Sequence, residues 1–272
     1  MVVQIIKPVL APVLLAQARR LRRRALELPE PEGPRSGVAK FASGTQSAET
    51  PLTLLIAGDS SAAGVGAPTQ DAALAPQLAA ALAARVRRDV AWHLYAQTGL
   101  TSAGVLNLLK ESTLPPADLG VIIVGVNDIA NDVSVGHALR VRNRIVRLLQ
   151  TRTGVGHILF PGLPAVERFP LLPQPLAWYG GAEARRNNQL QSRWARHRKR
   201  AGLVSHVPMD GFTHPQLMAK DGYHPSPVLY AMVAAHLADH LSLRVAAPDA
   251  ERQTAANLMG SAVHAEQETL VA

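Results

Sequence analysis

A chain of 272 residues with 47% hydrophobic content is long enough to bury one substantial core. It contains no cysteine, which excludes disulfides, thiolate nucleophiles and thiolate metal sites. The formal net charge of +8 is concentrated in two arginine clusters, Arg19–Arg24 and Arg185–Arg200. Such blocks attract the phosphates of lipid or nucleic acid, or form a solvated helix face.

In chain order, residues 1–28 read as an amphipathic segment. Val2, Ile5, Ile6, Val9, Val13 and Leu14 recur at helical spacing, while Lys7, Pro8 and Pro12 interrupt the apolar run. The run is too short and too broken for a membrane span. It is also a poor signal peptide, with Lys7 its only early cation and arginines directly after Ala18. It can lie on an anionic membrane surface or pack against the body of the protein. Residues 29–51, rich in proline, glycine and serine, read as a linker.

From Leu52 onward strands and helices alternate. Strands are expected at Leu52–Ala57, Val90–Tyr95, Leu119–Val124, His157–Phe160 and Leu203–Val207. Helices are expected at Asp71–Arg87, Ser102–Lys110, Ser134–Gln150 with Ser134 as N-cap, Trp178–Arg200 and Ser226–Leu241. A proline-rich loop from Pro161 to Pro175 follows the fourth strand. Residues 246–272 read as a mobile tail, and 52–245 as the functional domain. Strict alternation argues for an α/β fold: a five-stranded parallel sheet covered on both faces, in flavodoxin-like order. Ligands in such sheets sit at the carboxyl ends of the strands.

Those ends carry chemistry. The first strand delivers Gly58-Asp59-Ser60-Ser61, the second Gln97-Thr98-Gly99, and the third Gly125-Val126-Asn127-Asp128. Asp221-Gly222-Tyr223-His224 precedes the last helix. A serine hydroxyl needs a base, and His224 is suited to that role near neutral pH. Asp221, three residues earlier, can reach the imidazole Nδ1–H and fix its tautomer. The Ser60 and Gly99 amides and the Asn127 side chain are candidate donors to an oxyanion. Asp59 and Asp128 read as structural braces of their loops. Ala62, Ala63, Gly64 and Gly66 are expected to keep the approach to the hydroxyl open.

In these blocks the sequence resembles the GDSL-like, or SGNH, hydrolase superfamily: Gly-Asp-Ser at 58–60, Gly at 99, Gly-x-Asn-Asp at 125–128 and Asp-x-x-His at 221–224. The resemblance covers roughly residues 52–241. It implies a flavodoxin-like three-layer α/β/α sandwich and a serine esterase, lipase or acetylesterase that needs no metal or other cofactor. Ser61 departs from the leucine in the family's name, and Gly99 is the least specific of the four blocks.

Other readings carry less. The spacing Gly58…Gly64 lacks the Lys-Ser/Thr of a phosphate-binding loop, and Asp59 would repel phosphate. His236 and His240 lie four apart on a helix without a third metal ligand in sequence. His214, near the Asp221 block, is expected in the pocket, and the Pro161–Pro175 loop is expected to overhang the site. The expected substrate is a small-molecule or lipid ester. The alternative class is a basic membrane-surface or nucleic-acid binding protein on a hydrolase scaffold without turnover. Nucleic acid is the weaker of those partners, and contact with an anionic membrane is compatible with both classes. The expected location is the cytoplasm, at the membrane periphery if the arginines dock there, with export left open.

Overall fold

The computed structural model describes residues 2–24, 26–41, 50–198 and 202–245. The tail at 246–272, the middle of the proposed linker at 42–49, and Lys199 and Arg200 of the second basic cluster lie outside the described residues.

The central strand β2 (Leu52–Gly58) explains its own unbroken apolar run. Successive side chains point to opposite faces. Leu54 and Ile56 enter one core cluster, and Leu55 and Ala57 enter the other. Both faces of the strand are therefore covered, as expected of a parallel sheet. On the first face lie helices α3 (Leu74–Val86) and α8 (Pro227–Val245), through Leu78, Leu82, Leu237 and Leu241. On the second lie α4 (Ser102–Glu111) and α6 (Val135–Thr153), through Val105, Leu109, Ile145 and Leu149. The tail end of α7 (Leu176–Arg198) joins the second layer through Ala195 and Trp194. Local signals set the helix starts: Ser134 accepts from the His137 amide, and Thr101 from the Gly104 amide.

The sheet has six strands, not five. Five are parallel: β2, β3 (Val90–Ala96), β4 (Leu119–Ile123), β5 (His157–Pro161) and β6 (Val204–Val207). Their order, β3-β2-β4-β5-β6, is the flavodoxin-like order expected. The sixth, β1 (Ser36–Ala39), comes from the stretch read as linker and pairs antiparallel with β3, Ser36 opposite His93. Four residues with a glycine carry too short a pattern to announce a strand. It forms because the exposed edge of β3 has unpaired backbone groups.

Two other elements escaped the sequence pattern: the short helices α2 (Ser60–Ala63) and α5 (Val126–Ala130). The N-terminal helix α1 (Val2–Arg24) runs through Pro8 and Pro12, so these interrupt the apolar pattern but not the helix. It packs on the start of α7, where Gln17 donates to the Gln174 carbonyl and accepts from the Leu176 amide. Among the described residues no helix is long and apolar enough to cross a membrane.

Candidate active site

The register of the three adjacent strands aligns their ends. Gly58 of β2 sits opposite Ala96 of β3 and Ile123 of β4. The chain order reverses here, because β2 is flanked by β3 on one side and β4 on the other. Loops leaving such a point diverge and open a crevice. Ser60, Gly99 and Asn127 follow the three strand ends, and all three line one groove with Asp221 and His224.

Ser60 is the first residue of α2. Its carbonyl accepts from the amides of both Gly64 and Val65, closing a tight turn. Asp59 caps that turn, its carboxylate accepting from the Ser61 amide at 3.1 Å. Its own amide donates to the Ile123 carbonyl, tying the loop to β4. Asp59 is buried, and burial pushes its carboxyl up to about 7 against the hydrogen bonds from the backbone.

The small residues after Ser60 do not keep an approach open. Ala62 and Ala63 are fully buried in the core. Gly66 has φ +101, and a Cβ there would lie 2.3 Å from the Pro225 carbonyl and 3.4 Å from the His224 Cβ. The glycine allows the serine loop to press directly on the histidine loop. Smallness here brings backbone to backbone, a long-range need invisible in sequence.

His224 bridges the acidic and the nucleophilic partner. Its Nδ1 is 2.5 Å from Asp221 Oδ2, and its Nε2 is 2.9 Å from Ser60 Oγ. A carboxylate can only accept, so Nδ1–H donates to it and Nε2 is the acceptor for the serine hydroxyl. The other Asp221 oxygen accepts from the Tyr223 and His224 amides. Burial pushes the Asp221 carboxyl up, but these amides and the imidazole outweigh it and hold the group below its ordinary value. Asp221 thus stays ionised beside the ring. The histidine loop is closed by Ala219 N donating to the His224 carbonyl and by pairing of Met218 with Pro225.

On the opposite wall, Gly99 has φ +83 with open space around its Cβ position. Conformation, not crowding, calls for glycine there. Asn127 Nδ2 donates to the Leu100 carbonyl at 3.1 Å, joining α5 to the Gly99 loop. Asp128 turns away from the groove. Buried, it accepts from the Ser102 amide and hydroxyl and pairs with Arg142 Nη2 at 3.1 Å.

Several residues of this surround were missed from sequence. Arg142 is fully buried and also donates to Asn187 and Gln191 of α7 and to the Ser102 hydroxyl. A signal existed: Arg142 falls on the same helical stripe as Ala138, Ile145 and Leu149. Glu30, from the supposed linker, accepts from the Thr98 amide at 2.6 Å and from its hydroxyl at 2.8 Å, bracing the Gly99 loop from outside. It carried no local signal.

The proline-rich loop does overhang the site. Val166, Leu171 and Leu172 line the groove, and Leu171 N donates to the Gly222 carbonyl. The expectation for His214 fails: it is exposed and lines neither the groove nor the apolar cavity beside Ser60, whereas its neighbours Phe212 and Thr213 line that cavity. His236 packs against Phe212, and its Nε2 meets the Pro208 carbonyl. Among the described residues no group of three or more His, Cys, Asp or Glu is placed to hold a metal ion.

Comparison with known proteins bears on the family and the fold. The family model described as GDSL-like Lipase/Acylhydrolase matches residues 56–232. The GDSL-like esterase Rv1075c of Mycobacterium tuberculosis is 30% identical over 190 residues, 66% of this chain and 59% of that protein. The chain therefore spans less than two thirds of that relative. Among solved structures, the lipase Lip_vut3 from a goat rumen metagenome superposes with a TM-score of 0.54 at 18% identity, covering 70% of this chain and 97% of the other. A carbohydrate esterase family 2 enzyme with a carbohydrate binding domain, from Corynascus thermopiles (Myceliophthora fergusii), gives 0.55 at 14% identity, covering 74% and 69%. At these identities the two structures share the fold.

Proposed function

The chain belongs to the GDSL-like lipase/acylhydrolase family, and on that premise we propose that it is a serine hydrolase of carboxylic esters, with Ser60, His224 and Asp221 as its catalytic triad. The observation that carries the reading is the relay from Asp221 Oδ2 through the imidazole to Ser60 Oγ, at 2.5 and 2.9 Å.

The chemistry follows from that geometry. His224 Nε2 takes the hydroxyl proton as Ser60 Oγ attacks the ester carbonyl. Asp221 stabilises the resulting imidazolium and holds its orientation. The carbonyl oxygen, now an oxyanion, is met by the Ser60 and Gly99 amides and the Asn127 carboxamide. Asn127 has two N–H donors; one holds Leu100, and the second is assigned to the oxyanion. Collapse passes the proton from His224 to the departing alcohol and leaves an acyl-Ser60 ester. Water, deprotonated by His224, then releases the acid and restores the serine.

Replacing the nucleophile tests this directly. Ser60→Ala is expected to lower kcat/KM on p-nitrophenyl butyrate by at least about 10³-fold and to abolish labelling by a fluorophosphonate, with an unchanged thermal melt. Retention of either signal rejects the assignment.

A second reading, docking on an anionic membrane, concerns location and not chemistry. It is favoured by Val9 and Val13 of α1, 78% and 46% exposed, which are followed by exposed Arg19, Arg20, Arg23 and Arg24. A binding protein without turnover would have no use for the relay.

A further inference from the structure

Ser60 borders two very different spaces. On the core side lies a cavity of about 110 Å³, bounded by residues such as Leu74, Met209 and Leu237. On the other side lies the groove that also holds Gly99, Asn127 and His224, with a volume of about 890 Å³. The second is in the range of sites that enclose whole drug-sized ligands, roughly 300–1,000 Å³. It is far larger than an acetyl group requires.

The far wall of this groove is not part of the family-matched segment, residues 56–232. It is α1. Leu14, Ala18 and Leu21 recur at helical spacing on the side of α1 that lines the groove, together with Ala11 and Leu15. Leu14 is 7% exposed even though the helix lies at the surface. Facing them are Leu172, Leu176 and Tyr179, from the proline-rich loop and the start of α7. The helix is held at this distance by the two Gln17 hydrogen bonds to Gln174 and Leu176. Ile129 and Val126 add apolar lining to the same groove, and Glu27, Thr98, Asn131 and Asp132 are polar members of it. A polar substrate would leave its hydrogen-bonding groups unpaired against the apolar walls of the slot, whereas an alkyl chain loses nothing there.

We propose that α1 is a wall of the substrate site, and that the slot between α1 and α7 binds an extended alkyl chain of the ester whose carbonyl sits at Ser60. This inference rests on the serine-hydrolase reading above. It makes Leu14, Ala18 and Leu21 specificity-determining residues and ester chain length the selected property. The chain belongs either to the acyl or to the alcohol half of the ester, and each has its own substrate series.

The experiment compares p-nitrophenyl alkanoates from acetate to decanoate with alkyl acetates from ethyl to decyl. In one of the two series, wild-type kcat/KM is expected to rise by about fourfold per added methylene over the middle of the range, the value of burying one such group. Ala18→Phe, which fills the slot, is expected to lower the ratio of the longest to the shortest substrate at least tenfold. Leu21→Gln, which lines the slot with an amide, is the second variant should Ala18→Phe fail to melt cooperatively. A flat or falling profile in both series, or an unmoved ratio in a folded variant, overturns the proposal. Ser60→Ala is assayed alongside. Ester turnover that survives it overturns the serine-hydrolase reading itself, whereas Ser60-dependent turnover without chain-length preference overturns only the role of α1.

Discussion

Asp59 stands one position before the proposed nucleophile and has no place in the relay. Its carboxylate caps α2 and is buried, and burial pushes it up to about 7 from an ordinary 3.8. The folded protein therefore holds a proton that the unfolded chain releases between those two values. Stability must fall as pH rises through that window and level off above it. The gap caps the effect at about 4 kcal/mol. Asn keeps the capping oxygen without the titration, so Asp59→Asn is expected to melt several degrees above the wild type at pH 8 and close to it near pH 4. Equal melting temperatures at pH 8 would show that the carboxyl carries no such penalty. From sequence, Asp59 was legible as a loop brace because Asx capping is local. Its protonation was not, because burial depends on packing against segments distant in sequence, such as β4, whose Ile123 carbonyl accepts from the Asp59 amide.

Among the elements, α5 must face two ways with only five residues, presenting Asn127 to the groove and Asp128 to the interior. What holds it is the Asp128–Arg142 pair, with side chains 2% and 0% exposed, in which the guanidinium also gathers Ser102 from α4 and Asn187 and Gln191 from α7. Removing one partner of a buried pair strands the other charge, at a cost of about 3–5 kcal/mol. Arg142→Ala is expected to lose that much in urea unfolding and to lower kcat, since α5 and Asn127 are released together. The double variant Asp128→Asn/Arg142→Met is expected to recover a large part of the stability. If Arg142→Ala unfolds within about 1 kcal/mol of the wild type, the pair is not what fixes α5. The helix α6 that carries Arg142 was predictable from its periodicity and its Ser134 cap. That one of its many arginines faces inward depended on which helices lie across from it.

At the scale of the whole molecule, the net charge of +8 and the exposed arginines on α1 define a basic surface on a helix that also lines the groove. Each such residue contributes about 1 kcal/mol of attraction to an anionic membrane at low salt. Docking there is expected to show as cosedimentation with vesicles containing phosphatidylglycerol, weakened by about 0.5 M salt and by Arg19, Arg20, Arg23 and Arg24 replaced with Gln. Salt-insensitive or absent cosedimentation argues for a surface that is merely solvated. The amino-acid sequence by itself determined the alternation of strands and helices and the parallel order of five strands. It also determined the identity of the four blocks, three at strand ends and one before the last helix, because periodicity, capping and residue chemistry act over a few neighbouring positions. Only the tertiary structure decided that β1 closes the edge of β3, that Gly66 lets two loops touch, that Glu30 braces the Gly99 loop, and that α1 walls the groove. Each of these depends on what lies opposite in space, and partners separated by tens to more than a hundred residues leave no periodic trace along the chain.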